Sequence, residues 1–396
     1  MNIIVQKFGG TSVSTHEKRM LVIEKIVKAK KQGYLPVVVV SAMGRKGEPY
    51  ATDTLISLID KDFKIENPQA ADLLMSCGEI ISTVVMSNEL NNKNILSVPL
   101  TGGQAGIITD NNFGNAELKE TKIQNLMDIL KEGKIPIVAG FQGLSEKGYI
   151  TTLGRGASDL TAAILGVALN AEKVEIYTDV DGIMTADPRM VSKASLIKQI
   201  SYNEVFQFAD QGAKVIHPRA VEVAMKGNIP LVIKNTLSDS EGTIIDNLGS
   251  MQGENVITGI TSLDNRVQVK VRINRENNYN DIFSVLAHNS ISIDLINIFP
   301  KETIFTIDKE DRIKFDEIMN AFKLTCEYVE ACSKIAIIGS RMKGMPGVMA
   351  RILKALTKED IEVLQTADSH MTIWCLVESK NCIKAINALH KEFKLG

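Results

Sequence analysis

The chain has 396 residues, enough for two or three domains of ordinary size. Hydrophobic residues make up 44% of it, which allows a sizeable core and argues against wholesale disorder. The net charge is −2, from 45 basic and 47 acidic side chains. This balance argues against a nucleic-acid partner, since nucleic-acid-binding proteins usually carry a strong basic excess.

The cysteines and the N-terminus favour a reducing, cytoplasmic location. The five cysteines form no C-x-x-C pair and have no zinc-ligand spacing. They are Cys77, Cys326, Cys332, Cys375 and Cys382. The first residues go directly into strand-like sequence without a signal-peptide pattern. No apolar run approaches the roughly 20 residues of a membrane helix, so we expect no membrane partner.

The first half of the sequence alternates predicted strands and helices. The continuous β-branched run 37–40 is typical of a central strand covered on both faces. Other strands are predicted at 3–5, 135–139, 174–177 and 230–233, the last of this half, and a helix at 160–169. This alternation predicts an α/β fold with a mostly parallel sheet and helices on both faces. Ligands of such folds bind at the carboxyl ends of the strands.

A turn-rich stretch at 238–255 marks a predicted domain boundary, and the sequence after it changes character. Alternation over 267–273 predicts a half-exposed strand, followed by a helix and a strand at 292–298. About 70 residues later the pattern returns, with strands predicted at 335–338, 361–364 and 372–377 and a helix at 383–393. Each copy predicts a ferredoxin-like βαββαβ unit. Such a duplicated unit without obvious catalytic groups is more often regulatory than catalytic.

Two glycine-rich segments could hold anions. In KFGGTS (7–12), adjacent glycines let backbone N–H groups turn toward a phosphate, and Lys7 adds a positive charge. A tight turn with a solvated lysine is an equally good interpretation of this segment alone. In LGRGASDLTA (153–162), Arg155 could bind a carboxylate in bidentate fashion beside a helix N-terminus. An ordinary helix cap with a surface arginine is the alternative there.

Three further segments add polar groups. TDVDGIMTADPR (178–189) follows a predicted strand, lacks the later ligands of an EF-hand, and by itself could be a turn-rich loop. GAKVIHPR (212–219) supplies a second cation, Lys214, whereas His217 before a proline is better interpreted as structural. SCGE (76–79), at the predicted end of a helix, supplies the Glu79 carboxylate, and its cysteine is typical of a core position.

Taken together, these segments resemble the aspartokinase family of the amino-acid kinase superfamily. VQKFGGTSV, LGRGASDLTA, TDVDGIMTADPR and GAKVIHPRA occur in the family's order and spacing, and the C-terminal repeat resembles a pair of ACT modules with MKGMPGV (342–348) as a recognisable loop. One departure is Ala157, where the family usually has glycine. The resemblance implies a kinase domain at 1–245 and ACT domains at 262–332 and 333–396, with a strand near 255–261 that could join the last.

The resemblance also implies roles for single residues. Catalysis would involve Lys7, Asp159 and Lys214. ATP would contact Lys7, Phe8, Gly9, Gly10, Thr178, Asp179, Met184, Arg189, Lys214 and Val215. L-Aspartate would contact Thr52, Glu79, Arg155 and Ser158. An amino-acid effector would contact Asp294, Met345, Gly347, Val348 and Asp368. No protein side chain is expected to form a metal site, since Mg²⁺ would be held mainly by phosphates and water.

The implied reaction is ATP-dependent phosphorylation of the β-carboxylate of L-aspartate, the first step of the lysine/diaminopimelate, threonine and methionine pathways. This carboxylate, with a pKa of about 3.9, is already ionised at neutral pH, so no general base is required. Arg155 would bind the α-carboxylate and Glu79 the ammonium. Loss of a charge-assisted pair of about 1.5–3 kcal/mol at Arg155 would weaken turnover at low substrate roughly ten- to a hundredfold.

The resemblance implies regulation by diaminopimelate, with lysine and threonine as alternatives, and a homodimer or higher homo-oligomer assembled through the ACT modules. Ala367-Asp-Ser-His370 replaces the S-T-S-E pattern of lysine-sensitive members. Rival interpretations are another kinase of the superfamily, for acetylglutamate, glutamate or uridylate, and an amino-acid sensor with an inactive kinase half. An N-acetylated substrate would leave Glu79 without an ammonium partner. A bifunctional enzyme with a dehydrogenase domain is disfavoured because no dinucleotide fingerprint is present.

Overall fold

The computed structural model describes residues 1–212, 215–249, 256–272, 279–322, 324–340, 342 and 345–396. They form two compact units. The first comprises Met1–Ile183, Leu196–Ala209 and Lys214–Met251. The second comprises Met184–Ser195, Asp210–Ala213 and Gln252–Gly396. The domain boundaries that the resemblance implies stay a prediction.

The first unit contains twelve strands and eight helices among the described residues. The strands are β1 (Ile3–Phe8), β2 (Leu35–Val40), β3 (Ser97–Leu100), β4 (Ile107–Thr109), β5 (Leu118–Thr121), β6 (Ile135–Ala139), β7 (Gln142–Ser145), β8 (Ile150–Thr152), β9 (Lys173–Thr178), β10 (Gln199–Ser201), β11 (Leu231–Asn235) and β12 (Thr243–Asp246). The helices are α1 (His16–Lys31), α2 (Thr52–Ile56), α3 (Lys61–Glu66), α4 (Pro68–Asn91), α5 (Gln124–Lys131), α6 (Ser158–Ala168), α7 (Tyr202–Asp210) and α8 (Pro218–Gly227).

An eight-stranded sheet forms the centre of this unit, in the order β10-β12-β11-β9-β1-β2-β6-β3. Its pairs are parallel except for β11 with β12. The valines of β2 are fully buried, as the continuous β-branched run predicts for a strand covered on both faces. The strand β12 was not predicted, and it lies in the stretch interpreted as a boundary. The prediction that 230–233 is the last strand of this half is therefore wrong.

A smaller sheet, ordered β5-β4-β7-β8, was also missed by the sequence patterns. Asp72 of α4 fastens this sheet to the helix. Its carboxylate accepts hydrogen bonds from the backbone N–H (2.7 Å) and hydroxyl (2.8 Å) of Thr152 and from the Gly114 N–H (2.9 Å). Burial raises the pKa of Asp72. These donors compensate a carboxylate that is only 1% exposed.

The helix α4 has 24 residues and begins at Pro68 after an Asn67 side chain that accepts a bond from the Ala70 N–H. Proline is favoured in a first helical turn because its missing N–H would be unpaired there. Glu79 lies in the middle of this helix. The prediction that it lies at the end of a helix is therefore wrong. By length and composition α4 could cross a membrane, contrary to the expectation that no apolar run approaches that length. However, 50% of its most apolar 18-residue stretch is buried inside the protein. A buried core helix can have the same length and composition.

The second unit contains six strands and four α-helices among the described residues. They are β13 (Gly259–Arg272), α9 (Tyr279–His288), β14 (Ile293–Phe299), β15 (Glu302–Asp308), α10 (Arg312–Ala321), β16 (Cys326–Ile338), α11 (Val348–Lys358), β17 (Gln365–Asp368), β18 (Thr372–Glu378) and α12 (Cys382–Glu392). The strands form one sheet in the order β14-β15-β13-β16-β18-β17. The strand predicted at 361–364 is wrong, because β17 begins four residues later.

Two long strands divide this sheet into two βαββαβ halves. Residues 266–271 of β13 pair with 326–332 of β16 in the first half, and 259–263 pair with 334–338 in the second. The α9 and α10 helices pack over the first half through a cluster around Phe305 and Phe315. The α11 and α12 helices pack over the second half through Ile352, Leu356 and their neighbours.

The segment Met184–Ser195 belongs to the second unit although its sequence motif begins in the first. The Thr185 hydroxyl is 2.9 Å from Nε2 of His390 in α12. The Ser195 hydroxyl donates to the Leu395 carbonyl at 2.8 Å, and the Asn387 amide donates to the Met190 carbonyl at 3.0 Å. These hydrogen bonds fix the segment on α12 and on the residues that follow it.

Candidate active site

The carboxyl ends of four neighbouring strands, β9, β1, β2 and β6, form the edge at which the glycine-rich segments lie. Backbone bonds continue the sheet just beyond these ends. The Gly9 N–H donates to the Tyr177 carbonyl (3.2 Å), and the Ser41 N–H donates to the Phe8 carbonyl (3.1 Å). Loops of fixed geometry therefore begin directly at the edge where ligands of parallel sheets bind.

Gly10 is required at this edge by a close approach between two loops. A Cβ atom at this position would lie 2.4 Å from the Ala42 carbonyl oxygen and 2.9 Å from that of Gly44. The Gly44 N–H donates to the Gly10 carbonyl at 3.1 Å. The loop after β1 and the loop after β2 are thus held together by backbone, which leaves no space for a side chain.

Lys7 and Asp159 form a largely buried ion pair. The Lys7 Nζ lies 2.7 Å from Oδ1 of Asp159, and both side chains are 11% exposed. The other carboxylate oxygen accepts from the His217 N–H at 3.3 Å. The structure therefore brings together two of the three predicted catalytic side chains. The third, Lys214, lies outside the described residues.

His217 has a structural role, as its position before Pro218 indicated. Its Nδ1 accepts a hydrogen bond from the Arg219 N–H at 3.2 Å and so caps α8. Burial lowers the pKa of His217, which keeps the ring neutral and able to accept. The Arg219 guanidinium donates to the Leu153 carbonyl (2.7 Å) and the Asn115 side chain (3.1 Å), and thereby supports the loop that carries Arg155.

Glu79 is the most unusual ionisable group of the site. Its Oε1 accepts from the Ala42 N–H (3.2 Å) and the Thr52 hydroxyl (3.4 Å). Its Oε2 is buried and has no hydrogen-bond partner among the described residues. Burial raises the pKa of Glu79 to about 8. A buried carboxylate with a free oxygen is suited to receive a cation that arrives with a ligand.

A cavity of about 270 Å³ opens in front of this carboxylate. All four side chains predicted to hold L-aspartate line it, namely Thr52, Glu79, Arg155 and Ser158. Gly10 contributes to the same wall. The Arg155 side chain is 83% exposed and lies 3.8 Å from Asp53. The cavity is thus lined by a buried carboxyl group, Glu79, and by a solvent-exposed cation, Arg155.

Two cations at the cavity, Arg45 and Lys46, were missed from the sequence. Arg45 Nη2 lies 2.9 Å from Oδ2 of Asp179, so the loop after β2 contacts the loop after β9. The signal that could have identified them is their position directly after Ser41-Ala-Met-Gly44, the segment that follows the parallel strand β2. Thr178, the last residue of β9, donates its hydroxyl proton to Asp179 Oδ1 at 3.2 Å.

The other predicted ATP contacts are distributed as follows. Phe8 is fully buried and stacks on Tyr177 with ring centroids 4.7 Å apart, so only its backbone is available. Met184 and Arg189 belong to the second unit. There the Arg189 guanidinium holds Asp187 with its Nε at 3.0 Å and its Nη2 at 2.6 Å. Val215 is half-buried. Their nucleotide contacts stay a prediction.

The predicted effector residues lie at three places in the second unit. Asp294 of β14 forms an ion pair with Lys334, whose side chain is only 4% exposed. Gly347, with a φ of +89°, precedes α11, where Val348 is buried, while Met345 is exposed before it. The fifth position, Asp368, ends β17 and is also exposed. Their contacts with an effector stay a prediction.

Ala157 precedes α6 with a φ of −77°, a conformation open to any residue, so the departure from the family's glycine is harmless. We expect Ala157→Gly to lower the free energy of unfolding by about 1–2 kcal/mol, because it removes a buried methyl group and adds backbone freedom. Thermal unfolding measures this loss. The kinetic constants should be unchanged, and a gain in turnover would show that the position needs a glycine conformation.

Known families match both parts of the chain. The amino acid kinase family model matches residues 2–235, and an ACT domain model matches residues 327–391. Aspartokinase 1 of Bacillus subtilis (strain 168) is 43% identical over 403 residues, covering 100% of both chains. The aspartokinase of Geobacillus stearothermophilus is 38% identical, covering 100% of this chain and 98% of the relative.

Solved structures agree with this fold. E. coli aspartokinase III in complex with aspartate and ADP superposes with a TM-score of 0.73 at 24% identity, covering 99% of this chain and 100% of that one. With the kinase family matched over more than half of the sequence and a full-length relative above 30% identity, the chain belongs to the amino acid kinase family and, within it, to the aspartokinases.

Proposed function

We propose that this aspartokinase transfers the γ-phosphoryl group of ATP to the β-carboxylate of L-aspartate with the residues that line the cavity at the strand ends. The observation that carries this proposal is the free, buried Oε2 of Glu79 in the cavity that Arg155 also lines. These two charges match the ammonium and α-carboxylate of a free amino acid. When both groups of the substrate are bound in this way, its side-chain carboxylate faces the ion pair of Lys7 and Asp159.

Substrate binding follows from these charges. The ammonium of aspartate replaces the missing partner of Glu79, and its positive charge returns the raised pKa of that carboxyl toward the ionised state. Arg155 binds the α-carboxylate in bidentate fashion, and the hydroxyls of Thr52 and Ser158 complete its polar surroundings. A substrate held at three points has its β-carboxylate in a fixed direction, which is what in-line attack requires.

Phosphoryl transfer depends on positioning and charge neutralisation, because the attacking carboxylate is already ionised. Lys7 supplies a positive charge that Asp159 holds in place at 2.7 Å. We also assign contacts with the phosphates to Gly9, to the backbone N–H group of Gly10 and to the Lys214 side chain. The nucleophile is a β-carboxylate oxygen of aspartate, the bond that breaks joins Pγ to the bridging oxygen of ADP, and ADP leaves with that electron pair.

We propose that Mg²⁺ accompanies ATP and is held mainly by its phosphates and by water. Among the residues that the structure describes, there is no group of three or more Asp, Glu, His or Cys side chains placed to hold a metal ion. Mg²⁺ usually keeps several waters and binds through substrate phosphates. The metal would neutralise charge on the phosphates beside Lys7 when it is bound.

Regulation and assembly complete the proposal. We assign the two ACT modules to feedback control by an amino acid, with diaminopimelate as the expected effector and lysine and threonine as the alternatives. The assembly is a homodimer or higher homo-oligomer through these modules, in the cytoplasm. The reaction would begin the lysine/diaminopimelate, threonine and methionine pathways.

Hydroxylamine trapping tests the activity, because it converts an acyl phosphate into a hydroxamate, which forms a coloured complex with ferric iron. We expect ATP- and Mg²⁺-dependent hydroxamate from L-aspartate and none from N-acetylglutamate, which has no ammonium for Glu79. Diaminopimelate, lysine and threonine are added one at a time to identify the effector. Turnover of another acid without turnover of aspartate would overturn the substrate, and no turnover of any acid would favour an amino-acid sensor.

Arg155→Ala should raise the KM for aspartate with little change in kcat. The effect is expected to be about tenfold, the lower end of what loss of a charge-assisted pair produces, because the side chain is exposed and screened by solvent. Steady-state kinetics with varied aspartate measures it, and Arg155→Lys, which keeps the charge and loses the bidentate geometry, should be intermediate. An unchanged KM would remove Arg155 from the substrate site.

A further inference from the structure

A second cavity lies within the C-terminal unit, at the seam between its two βαββαβ halves. Its volume is about 280 Å³, close to that of the candidate active site. Its walls come from both halves. Asp264 of β13 and Lys309, directly after β15, line it together with Ser379, directly after β18, and Cys382, the first residue of α12. None of the predicted effector contacts lines it.

The cavity exists because the two long strands leave their regular ladder at this point. Pairing of β13 with β16 is interrupted between Leu263 and Arg266. On the facing strands, Asn265 and Ala331 adopt left-handed conformations, with φ of +59° and +53°. Such conformations cost free energy for residues other than glycine and occur often at functional sites. Here two of them line the same cavity.

Opposite charges face this cavity without neutralising each other. Asp264 and Lys309 are both exposed, and neither forms an ion pair within the part of the chain that the structure describes. Oδ1 of Asp264 accepts from the Ser333 hydroxyl at 2.6 Å, and this hydroxyl is also 2.8 Å from that of Ser379. The Asp264 side chain is therefore held in place by this hydroxyl and not, among the described residues, by a cation.

The remaining lining is apolar. Met190, Ala331 and Ile383 contribute side chains, and Ile383 is 55% exposed. Cys382 is 4% exposed, and burial raises the pKa of its thiol, so it contributes an uncharged surface. An apolar surface beside one anion and one cation is complementary to a small molecule with the same three features.

We propose that this cavity binds a small zwitterion with an apolar side chain, of the class of neutral α-amino acids, with its carboxylate toward Lys309 and its ammonium toward Asp264. The apolar side chain lies against Met190 and Ile383. This site is separate from the substrate cavity and from Asp294, and its occupancy does not require that the kinase reaction be the one proposed above.

Isothermal titration calorimetry on the full chain, without ATP or aspartate, tests the proposal. The probes are L-valine, L-leucine and L-methionine, together with 3-methylbutylamine and 4-methylpentanoate, which are leucine without its carboxylate and without its amine. At least one amino acid should bind, and each single-charge analogue of leucine should bind at least about tenfold more weakly than leucine, since each loses one charge-assisted contact. No binding of any amino acid at millimolar concentration would overturn the proposal.

Variants locate the site. Lys309→Met and Asp264→Asn should each weaken the amino-acid binding about tenfold or more. Lys301→Met, an exposed lysine away from the cavity, and Asp294→Asn should leave it unchanged. Binding that survives both cavity variants, or that is lost with Asp294→Asn, would contradict this location. Because the assay measures binding alone, it separates the two proposals. If the protein binds leucine at the cavity but has no activity on aspartate, only the proposed reaction is refuted.

Discussion

Lys7→Met is expected to lower kcat with aspartate by about 10²–10³-fold, the range for removing one preorganised group that stabilises transition-state charge. The lysine lies at the end of the central strand β1, where Asp159 fixes its ammonium at 2.7 Å. Methionine keeps the length of the side chain and removes the charge. The KM values should change much less than kcat, because the charge acts mainly on the phosphoryl group in transit. Initial rates of hydroxamate formation at saturating ATP and aspartate measure the loss.

Two controls separate this effect from misfolding. Lys7→Met leaves Asp159 as a buried carboxylate without its cation, which also destabilises the fold, so thermal unfolding must show a folded variant at the assay temperature. Lys30→Met changes an exposed lysine of α1 in the same way and should leave kcat unaltered. A kcat for Lys7→Met within about tenfold of wild type would exclude the lysine from the phosphoryl-transfer step.

Glu79→Gln is expected to raise the KM for aspartate by about 10- to 100-fold, because a neutral amide cannot replace the ionic contact with the ammonium. The glutamine fits the same space and still accepts from the Ala42 N–H through its carbonyl oxygen. The loss should therefore be confined to substrate binding. Kinetics at varied aspartate measure it, with Glu66→Gln, an exposed glutamate of α3, as the control.

The same group makes aspartate binding depend on pH. In the free enzyme the pKa of Glu79 is about 8, raised from an ordinary 4.5 by burial, so the carboxyl is mostly protonated at pH 7. Only the ionised form attracts the ammonium, and we expect the affinity for aspartate to rise between pH 6.5 and about 8. This slope should be absent in Glu79→Gln. A wild-type affinity that is flat over this range would contradict a raised pKa.

Stability without substrate should change in the opposite direction. Because the folded-state pKa is raised, the folded protein holds this proton more tightly than the unfolded chain does. The contribution of this tighter proton binding to the free energy of unfolding is fully present below pH 4.5, and it declines as the pH rises toward 8. At pH 8 the Glu79→Gln variant should therefore be the more stable protein, and it should lose this advantage at low pH. Thermal unfolding across the range checks the sign.

The parts of the fold that the sequence predicted are those where burial alone sets the pattern. The β-branched run of β2 could be assigned because both faces of a central parallel strand are covered. The strand predicted at 361–364 was wrong for a related reason. Ile361 is buried against the helices of the second half, but the ladder with β18 begins only at Gln365. An apolar pattern reports burial and not hydrogen-bond pairing.

The site could be predicted only where it follows from local sequence. The glycines after β1 and the Arg155 loop are local features. The free oxygen of Glu79 depends on how α4 packs against the loop after β2, and no spacing of residues reports this. The ion pair of Arg45 with Asp179 joins loops 134 residues apart, so its existence also depends on the sheet order. Short strands such as β8, of three residues, carry too little pattern to be recognised.

Borohydride reduction of the product tests the central claim most directly, because it turns an acyl phosphate into an alcohol at the carbon that carried the phosphate. The enzyme is incubated with ATP, Mg²⁺ and L-aspartate, and the product is reduced. The amino alcohols are separated by liquid chromatography and identified against standards by mass spectrometry. Homoserine as the sole ATP-dependent product would show transfer to the β-carboxylate, as predicted from ammonium binding at Glu79 and α-carboxylate binding at Arg155. The isomer 3-amino-4-hydroxybutyrate, or no alcohol at all, would contradict the account.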